Sequence, residues 1–528
     1  MSAAKPAKSY PRAGTRLARL RSPSFRGEML DLLGGRVDFS AKTVAIAAAS
    51  IFIISFSIRS LAAADLSPVM YSRAQPGGGM SAEYAGNAVS ILAGEGVLFR
   101  ENPNLEDTRM LSHPPGYPAF LAAIYSISGE SYFAVQILQN ALTSLGAVMI
   151  MLIAGSLITW PVGVAAGVMA AFSHHLSYYS NLILPDAICA LPILLAFYLV
   201  AVSKARRHFW AHALAGALIG ASVWLRPNAL MLGLFISILL PLVSVRRHRV
   251  AKRAWAIAVV AFAVVSPITI RNYVTYGEFV PVSINTGIVL WEGIADAGGE
   301  HFGAVRKDPQ VAVQEAIFYG DDRYMSSWAT PDGIKRDRDR IARSLDVIIY
   351  NPVWFARAMA WRMGQMFKYS AGAPLIKQSA GATVSDSQAH SIIEDGYSRE
   401  SASITKPSTA SDSFAPALTT IGALLNWARP ASRAVQRAIK ESLLLLIILG
   451  AIATFMLSPR RALILSIVPA YYLLSQSLMH YEFRYVIPMH YFVLIFAAVS
   501  WVTIFSFAGR MAKRLMAARK QPAPEVGI

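Results

Sequence analysis

Ten apolar runs, each close to the length a bilayer demands, divide this chain: 43–64, 132–158, 162–179, 186–203, 209–224, 228–245, 254–272, 441–458, 461–479 and 485–507. A helix in hydrocarbon bonds all its backbone polar groups internally and needs about 20 mostly apolar residues to cross. Hydrophobic residues make up 55% of the 528 and charged residues 15%, against roughly 25% charged in a soluble domain. The chain therefore reads as an all-α polytopic membrane protein with about ten crossings, roughly 8 to 12 because run ends are soft and adjacent runs abut. The run at 43–64 has 42 residues before it and exceeds the apolar stretch of a signal peptide, so it reads as a span.

Lysine and arginine total 49 against 31 acids, a net charge of +18. In a soluble protein that would suggest nucleic acid; here it follows topology. The first 42 residues hold nine basic residues. Further basic residues occupy the links after the fourth run (Lys204, Arg206, Arg207), the sixth (Arg246, Arg247, Arg249, Lys252, Arg253) and the eighth (Arg460, Arg461). The tail adds Arg510, Lys513, Arg514, Arg519 and Lys520. These segments alternate correctly with ten spans, and basic loops face the cytoplasm. The charge is then positive-inside charge near anionic lipid, with no nucleic-acid partner. Both termini are expected in the cytoplasm, with the chain in a bacterial inner membrane. The expected organisation is a basic segment 1–42, a transmembrane module 43–272 with an outer loop 65–131, an outer region 273–440, spans over 441–507 and a tail 508–528. The single cysteine, Cys189, excludes an intrachain disulfide and a cysteine metal cluster.

Span centres read as nearly free of charge, which disfavours a proton-coupled transporter. Polar residues gather at predicted outer ends: Glu83, Glu106, Asp107, His113, Asp186, Arg226, Arg271, His480, Glu482 and Arg484. In the first outer loop, Ser81 can cap a helix over about 82–93 that Gly94 and Gly96 close. Tyr84, Ala88, Ile91 and Leu92 share one face of it, so it can lie at the interface. Glu83 then either complements the helix dipole or serves as a base over the membrane surface. Pro114 and Pro115 start a second helix, about 115–128. Adjacent His174 and His175 are expected to point apart, and no His/Asp/Glu set has convincing metal spacing. The run 355–369 is amphipathic and basic and can lie on the membrane.

A first span, an outer loop with an acid ahead of a helix ending Gly-x-Gly, and then "HPPGYPAFLAAIY" together resemble the GT-C glycosyltransferases. The closest likeness is to the bacterial branch similar to dolichyl-phosphate-mannose protein mannosyltransferases. "LPDA" at 184–187, "WLRPNAL" at 224–230, "RNYVTYGEFVPVSINTGIVLW" at 271–291 and "FRYVIP" at 483–488 follow in the family's order. One position departs: many members carry an aspartate four residues before the tyrosine of the first loop, and here that residue is Met80.

The resemblance implies a GT-C fold and transfer of a sugar, with inversion, from a polyprenyl-phosphate donor to a glycan, lipid or protein acceptor outside the cytoplasm. A lipid phosphate leaves as a stable anion, so one carboxylate can suffice. Glu83 is the expected base, with Asp107, Glu106 and Asp186 as secondary acids. Arg271, Arg484 and Arg226 are the candidates for the donor phosphate, against a reading as span-end anchors. His113, Tyr84, Asn285 and Tyr485 are expected substrate contacts. No cofactor is certain, and a divalent cation stays open. Two other classes remain: a polymerase or ligase using a diphosphate-linked oligosaccharide, and a lipid-sugar flippase or transporter.

Overall fold

The computed structural model describes residues 25–34, 39–70, 78–98, 109–244, 247–368, 373–378, 420 and 422–519. Among the described residues the fold is helical and contains no strand. Five helices are long and apolar enough to cross a membrane: Ala41–Leu66, Tyr132–Leu157, Arg247–Tyr276, Asn426–Leu457 and Phe483–Met516. Four more apolar runs form shorter helices, Trp160–Phe172, Ala190–Val202, Phe209–Leu225 and Pro227–Leu242. The last is Pro459–Ser477, of 19 residues. Two runs are shorter than their hydropathy suggests. The 162–179 run breaks at Ser173, whose hydroxyl accepts from Leu176 N to start a separate helix, His174–Tyr179. The 186–203 run becomes helical only at Ala190, after a series of turns over 180–189.

Lipid offers no hydrophobic drive between helices, so close backbone approach at small residues holds such bundles together. Gly216 packs directly on the helix Arg247–Tyr276: a Cβ there would meet Ile257 O at 2.5 Å. One charge departs from the expected pattern. Arg59, inside the first span, is fully buried. Its Nε donates to Thr143 Oγ1 at 3.0 Å, and its Nη1 to Ser55. A hydropathy average hides a single arginine, and here a threonine hydroxyl of a neighbouring helix and the hydroxyl and carbonyl of Ser55, one turn back on its own helix, accept its protons.

Between the third and fourth of the long helices, residues 285–368 fold as a helical unit with its own apolar cluster around Ile288, Trp291, Ile294 and Val347. Its helices Asp308–Tyr319 and Gly333–Tyr350 are joined by fully buried Glu315. That carboxylate accepts from Arg336 Nε at 2.6 Å, from Arg340 Nε at 2.7 Å and from Arg343 Nη2 at 3.2 Å. Bidentate guanidinium pairing of this kind fixes geometry as well as charge.

Gly216→Val should destabilise the bundle by about 1–3 kcal/mol through overpacking against backbone. Gly364→Ala, where nothing lies within 4 Å of the new methyl, should be neutral or slightly stabilising. Thermal unfolding of both variants in one detergent checks the contrast; equal melting temperatures would contradict the packing argument.

Candidate active site at one end of the bundle

The first-loop helix runs Gly78–Ser90 and ends through Gly94 (φ 98°) and Gly96 (φ 81°). It starts three residues before Ser81, so Ser81 is not its cap. Its hydroxyl instead donates to Ile183 O at 3.3 Å, seating the helix on the turns before Ala190. Ser81, Tyr84 and Ala88 are buried, whereas Leu92 is 47% exposed. Glu83 lies on the outer flank with its side chain 59% exposed and hydrogen-bonds His113 Nε2 at 2.9 Å. The Tyr84 ring lies 4.7 Å from the His113 ring and edge-on to Tyr117 at 5.0 Å. Burial pushes the Tyr84 phenol up, so it stays protonated as a donor.

His113 reaches Glu83 because the second loop helix, Gly116–Ser128, sits tightly on the end of Phe209–Leu225. A Cβ at Gly116 would meet Trp224 O at 2.5 Å. The "PPGYP" sequence is therefore more than a turn: its glycine is the only residue type that fits there. Asn285 Nδ2 donates to Ser112 O at 2.8 Å, and Ile284 N to Leu111 O at 3.0 Å. The segment leaving the helix Arg247–Tyr276 is thus sewn to the His113 loop. Asn285 Oδ1 is buried with no hydrogen-bond partner among the described residues.

Beneath this pair the arginines converge. Arg226 Nη1 bonds fully buried Asp186 at 2.7 Å, and its guanidinium lies 4.5 Å from the Tyr485 ring centroid. Arg484 stands 5.3 Å from the same ring. It is ion-paired with Glu482, and its Nη1 approaches Met80 Sδ at 3.9 Å. Met80 and Glu83 are one turn apart on the first-loop helix, hence neighbours. Asn228 Nδ2 donates to Tyr485 O at 2.9 Å, and Tyr471 OH to Asn228 O at 2.8 Å. These bonds lock the Arg226-Pro227-Asn228 turn to the Phe483–Val486 turn. Asp186 Oδ1 is left without a protein partner among the described residues. Asp186 starts no helix: Cys189 occupies the cap position of Ala190–Phe197.

Of the expected site residues, Glu83, Tyr84, His113, Asp186, Arg226, Asn285, Arg484 and Tyr485 gather at this end of the bundle. Arg271 is buried beside Asn272, bonded to its Oδ1 at 2.9 Å, with its guanidinium 5.7 Å from the Tyr276 ring. Asn272 holds the strap that follows, at Val280 O and Val282 O. Glu106 and Asp107 lie outside the described residues. Rings of His174 and His175, expected to point apart, sit 4.1 Å from each other. Among the described residues no group of three or more His, Cys, Asp or Glu is placed to hold a metal ion.

Sequence reasoning placed His480 and Glu482 together at an outer end but missed Asp296, Glu292 and Asp308 beside them. His480 Nδ1 bonds Asp296, and its Nε2 lies 3.5 Å from Glu482 Oε1. Burial pulls the imidazole down, but Asp296 and Glu482 outweigh it and hold it well above its ordinary value. Burial likewise opposes ionisation of Glu482, yet Arg484 and His480 bring it down to about 2. Glu292 and Asp308 share a hydrogen bond; burial first and mutual repulsion second push Glu292 well up, and burial raises Asp308 to about 6. No local signal reveals these partners, because Asp296 and His480 are 184 residues apart.

Residues 112–270, less than a third of the chain, match the family model described as dolichyl-phosphate-mannose-protein mannosyltransferase. The matched segment carries His113, Asp186 and Arg226. Over that segment the chain is similar to this family, and the five long apolar helices are of a length to cross a membrane. The resemblance read from "HPPGYPAFLAAIY", "LPDA" and "WLRPNAL" thus holds where those motifs lie. No curated protein matches the chain. Among solved structures, the apo oligosaccharyltransferase of Archaeoglobus fulgidus is similar with a TM-score of 0.45 and 12% identity, over 92% of this chain and 53% of that one. The oligosaccharyltransferase AglB of the same organism, in complex with an inhibitory peptide and a dolichol-phosphate, gives 0.41 and 12%, over 90% and 52%. The chain spans about half the length of these structures.

Asp308, raised to about 6 when folded, takes up a proton on folding relative to an ordinary aspartate near 3.9. Its contribution to stability is full below about pH 4 and is lost as pH rises through about 6. Asp308→Asn should therefore lose less melting temperature between pH 4 and 7 than the parent, the remaining decline coming from the other buried acids with raised values, Glu292 and Asp337. Parallel declines in both proteins would remove the buried-dyad assignment.

Proposed function

We propose that this enzyme transfers a sugar, with inversion, from a polyprenyl-phosphate-linked donor to a glycan, lipid or protein acceptor of the bacterial cell envelope. The proposed location is the inner membrane, with the site on the periplasmic side and both termini in the cytoplasm. The five basic segments on one side of the expected topology support that orientation.

The observation that carries the reading is the stacking of a carboxylate–imidazole pair over two arginines. Glu83 and His113 meet at 2.9 Å, and Arg226 and Arg484 gather at Tyr485 directly under the same helix. The acceptor oxygen attacks the anomeric carbon while the bond from that carbon to the phosphate oxygen breaks. The proton of the acceptor hydroxyl passes to the Glu83 carboxylate, which His113 orients. The bonding electrons leave on the lipid phosphate, where Arg484 and Arg226 stabilise the growing charge. The buried oxygens of Asn285 and Asp186, which have no partner among the described residues, are placed to accept hydrogen bonds from hydroxyls of sugar or acceptor. An apolar groove of about 350 Å³ lined by Phe120, Ile124, Ile127 and Leu138 lies along the helix that starts at Gly116 and suits a prenyl chain.

The envelope sugar missing from a deletion strain identifies the donor, and transfer by purified variants then tests the roles. Glu83→Gln should lower turnover by about 10²-fold or more with folding intact, and Glu83→Asp should keep part of the activity. A loss confined to stability, with turnover per folded molecule unchanged, would reduce Glu83 to a helix-dipole acid. Arg484→Lys should recover only part of what Arg484→Ala loses at subsaturating donor, because lysine keeps the charge without the planar fork. Full activity of both variants would make Arg484 a structural residue.

A further inference from the structure

We infer that Asp296 and His480 are positioning residues of the transfer site, which through Glu482 hold the Arg484 guanidinium against the first-loop helix. The inference rests on the reading of Arg484 as a donor-phosphate group.

Glu482 serves two cations at once. One side meets His480 Nε2 at 3.5 Å and the other is paired with Arg484. His480 is itself fixed at its second nitrogen by Asp296, so its ring cannot turn away without losing a charge-assisted bond. The backbone is held as firmly. His480 N donates to Val289 O at 2.7 Å. Gly293 abuts the Met479–His480 peptide so closely that a Cβ would overlap it. Arg362 ties both strands together, donating to Ser477 O at 2.6 Å and to Gly293 O.

Three of the contacting residues, Val289, Gly293 and Asp296, fall on one helix, Asn285–Asp296, of 12 residues. Its first residue bonds Ser112 O, beside the histidine that holds Glu83. Its last residue bonds His480. A rigid rod of about 18 Å therefore joins the loop that carries the base's partner to the loop that carries the phosphate arginine. A displacement at either end is transmitted to the other.

The charge count gives His480 its part. The groups facing it are Glu292, Asp296, Asp308 and Glu482 on one side and Arg362 and Arg484 on the other. Glu292 and Asp308 share a proton between them. With His480 protonated, Glu482 divides its charge between imidazolium and guanidinium, leaving Arg484 charge to offer a phosphate. With His480 neutral, Glu482 leans on Arg484 alone.

The test uses the full chain in lipid nanodiscs with decaprenyl phosphate as the probe, since it carries the leaving phosphate of any polyprenyl donor. Affinity is measured from pH 7.5 to 10, where the probe's own phosphate no longer titrates. The parent should lose affinity as pH rises and the imidazolium deprotonates, the direction required for a histidine whose value is raised in the fold. His480→Ala and the milder Asp296→Asn should each weaken binding about tenfold, the scale of one bond to a charged group. His480→Asn, which keeps a hydrogen bond without a charge, should abolish the alkaline decline. Asp296→Glu should restore most of the affinity. If Arg484→Ala weakens binding while both relay variants bind like the parent with an unchanged pH profile, the relay is overturned and the phosphate reading stands. Parent-like binding by Arg484→Ala overturns both. Size-exclusion monodispersity and an unchanged melting temperature separate a binding loss from misfolding.

Discussion

A charge buried among apolar helices persists only when it is paired, because its hydration is lost and little in the surroundings replaces it. The Asp186–Arg226 bridge is where this constraint acts on the whole assembly. Asp186 is fully buried and Arg226 nearly so, so neither could sit where it does alone. Their union fixes the turns over 180–189 against the end of Phe209–Leu225. From there the order spreads by single bonds: Ile183 receives Ser81 of the first-loop helix, and Asn228 receives the Tyr485 turn. Remove the pair and the floor on which the first-loop helix rests has no defined height. The concentration of charge at one end of the bundle follows from the same rule. Partners from five separate segments must meet where the helices stop.

Hydropathy reveals the helical fold because lipid leaves the sequence little freedom. A helix that must satisfy its own backbone needs a long apolar run, and all ten runs are helical. It fails where a run is interrupted by geometry rather than composition. Ser173 splits one apolar run and the turns over 180–189 shorten another, while mean hydropathy stays high through both. Arg59 escapes for a related reason. Its acceptors, Ser55 one turn back on the same helix and Thr143 on the helix Tyr132–Leu157, are individually unremarkable, and only the packed bundle brings them together around a guanidinium.

The candidate site was legible in part for equally physical reasons. Glu83, His113, Asp186, Arg226 and Arg484 stand out because ionisable residues beside apolar runs are rare and must have a purpose or a partner. Which partner each one takes was not legible. Glu83 pairs with His113 across 30 residues, and His480 pairs with Asp296 across 184; no periodicity spans such distances. The expected cap at Ser81 shows the same limit on a smaller scale. Serine ahead of an amphipathic stretch is a sound start signal, but a carbonyl at Ile183 outbid the helix's own amides.

On the function proposed above, exposure separates the two halves of the site in a way that suits two reagents of different solubility. Glu83 is open to water and Arg484 is buried beneath the same helix, 5% exposed. A polar acceptor approaching from the aqueous side meets the carboxylate first. A lipid-borne phosphate arriving along the helix ends meets the guanidiniums, in surroundings where a hydrogen bond to an anion is strong. The reverse arrangement would serve neither: a buried carboxylate over exposed arginines would hold its proton, and its cations would be screened by salt. Met80 contributes to this separation. Its thioether faces Arg484 where many relatives of this chain's first-loop pattern carry an aspartate, and an acid there would neutralise the guanidinium before any phosphate reached it. Placing the carboxylate one turn along the helix, at Glu83, puts it beside His113 and leaves Glu482 as the acid paired with Arg484. That sharing explains why the imidazolium at His480 matters to a phosphate it does not touch. The charge that Arg484 can offer depends on how much of Glu482 another cation has already taken.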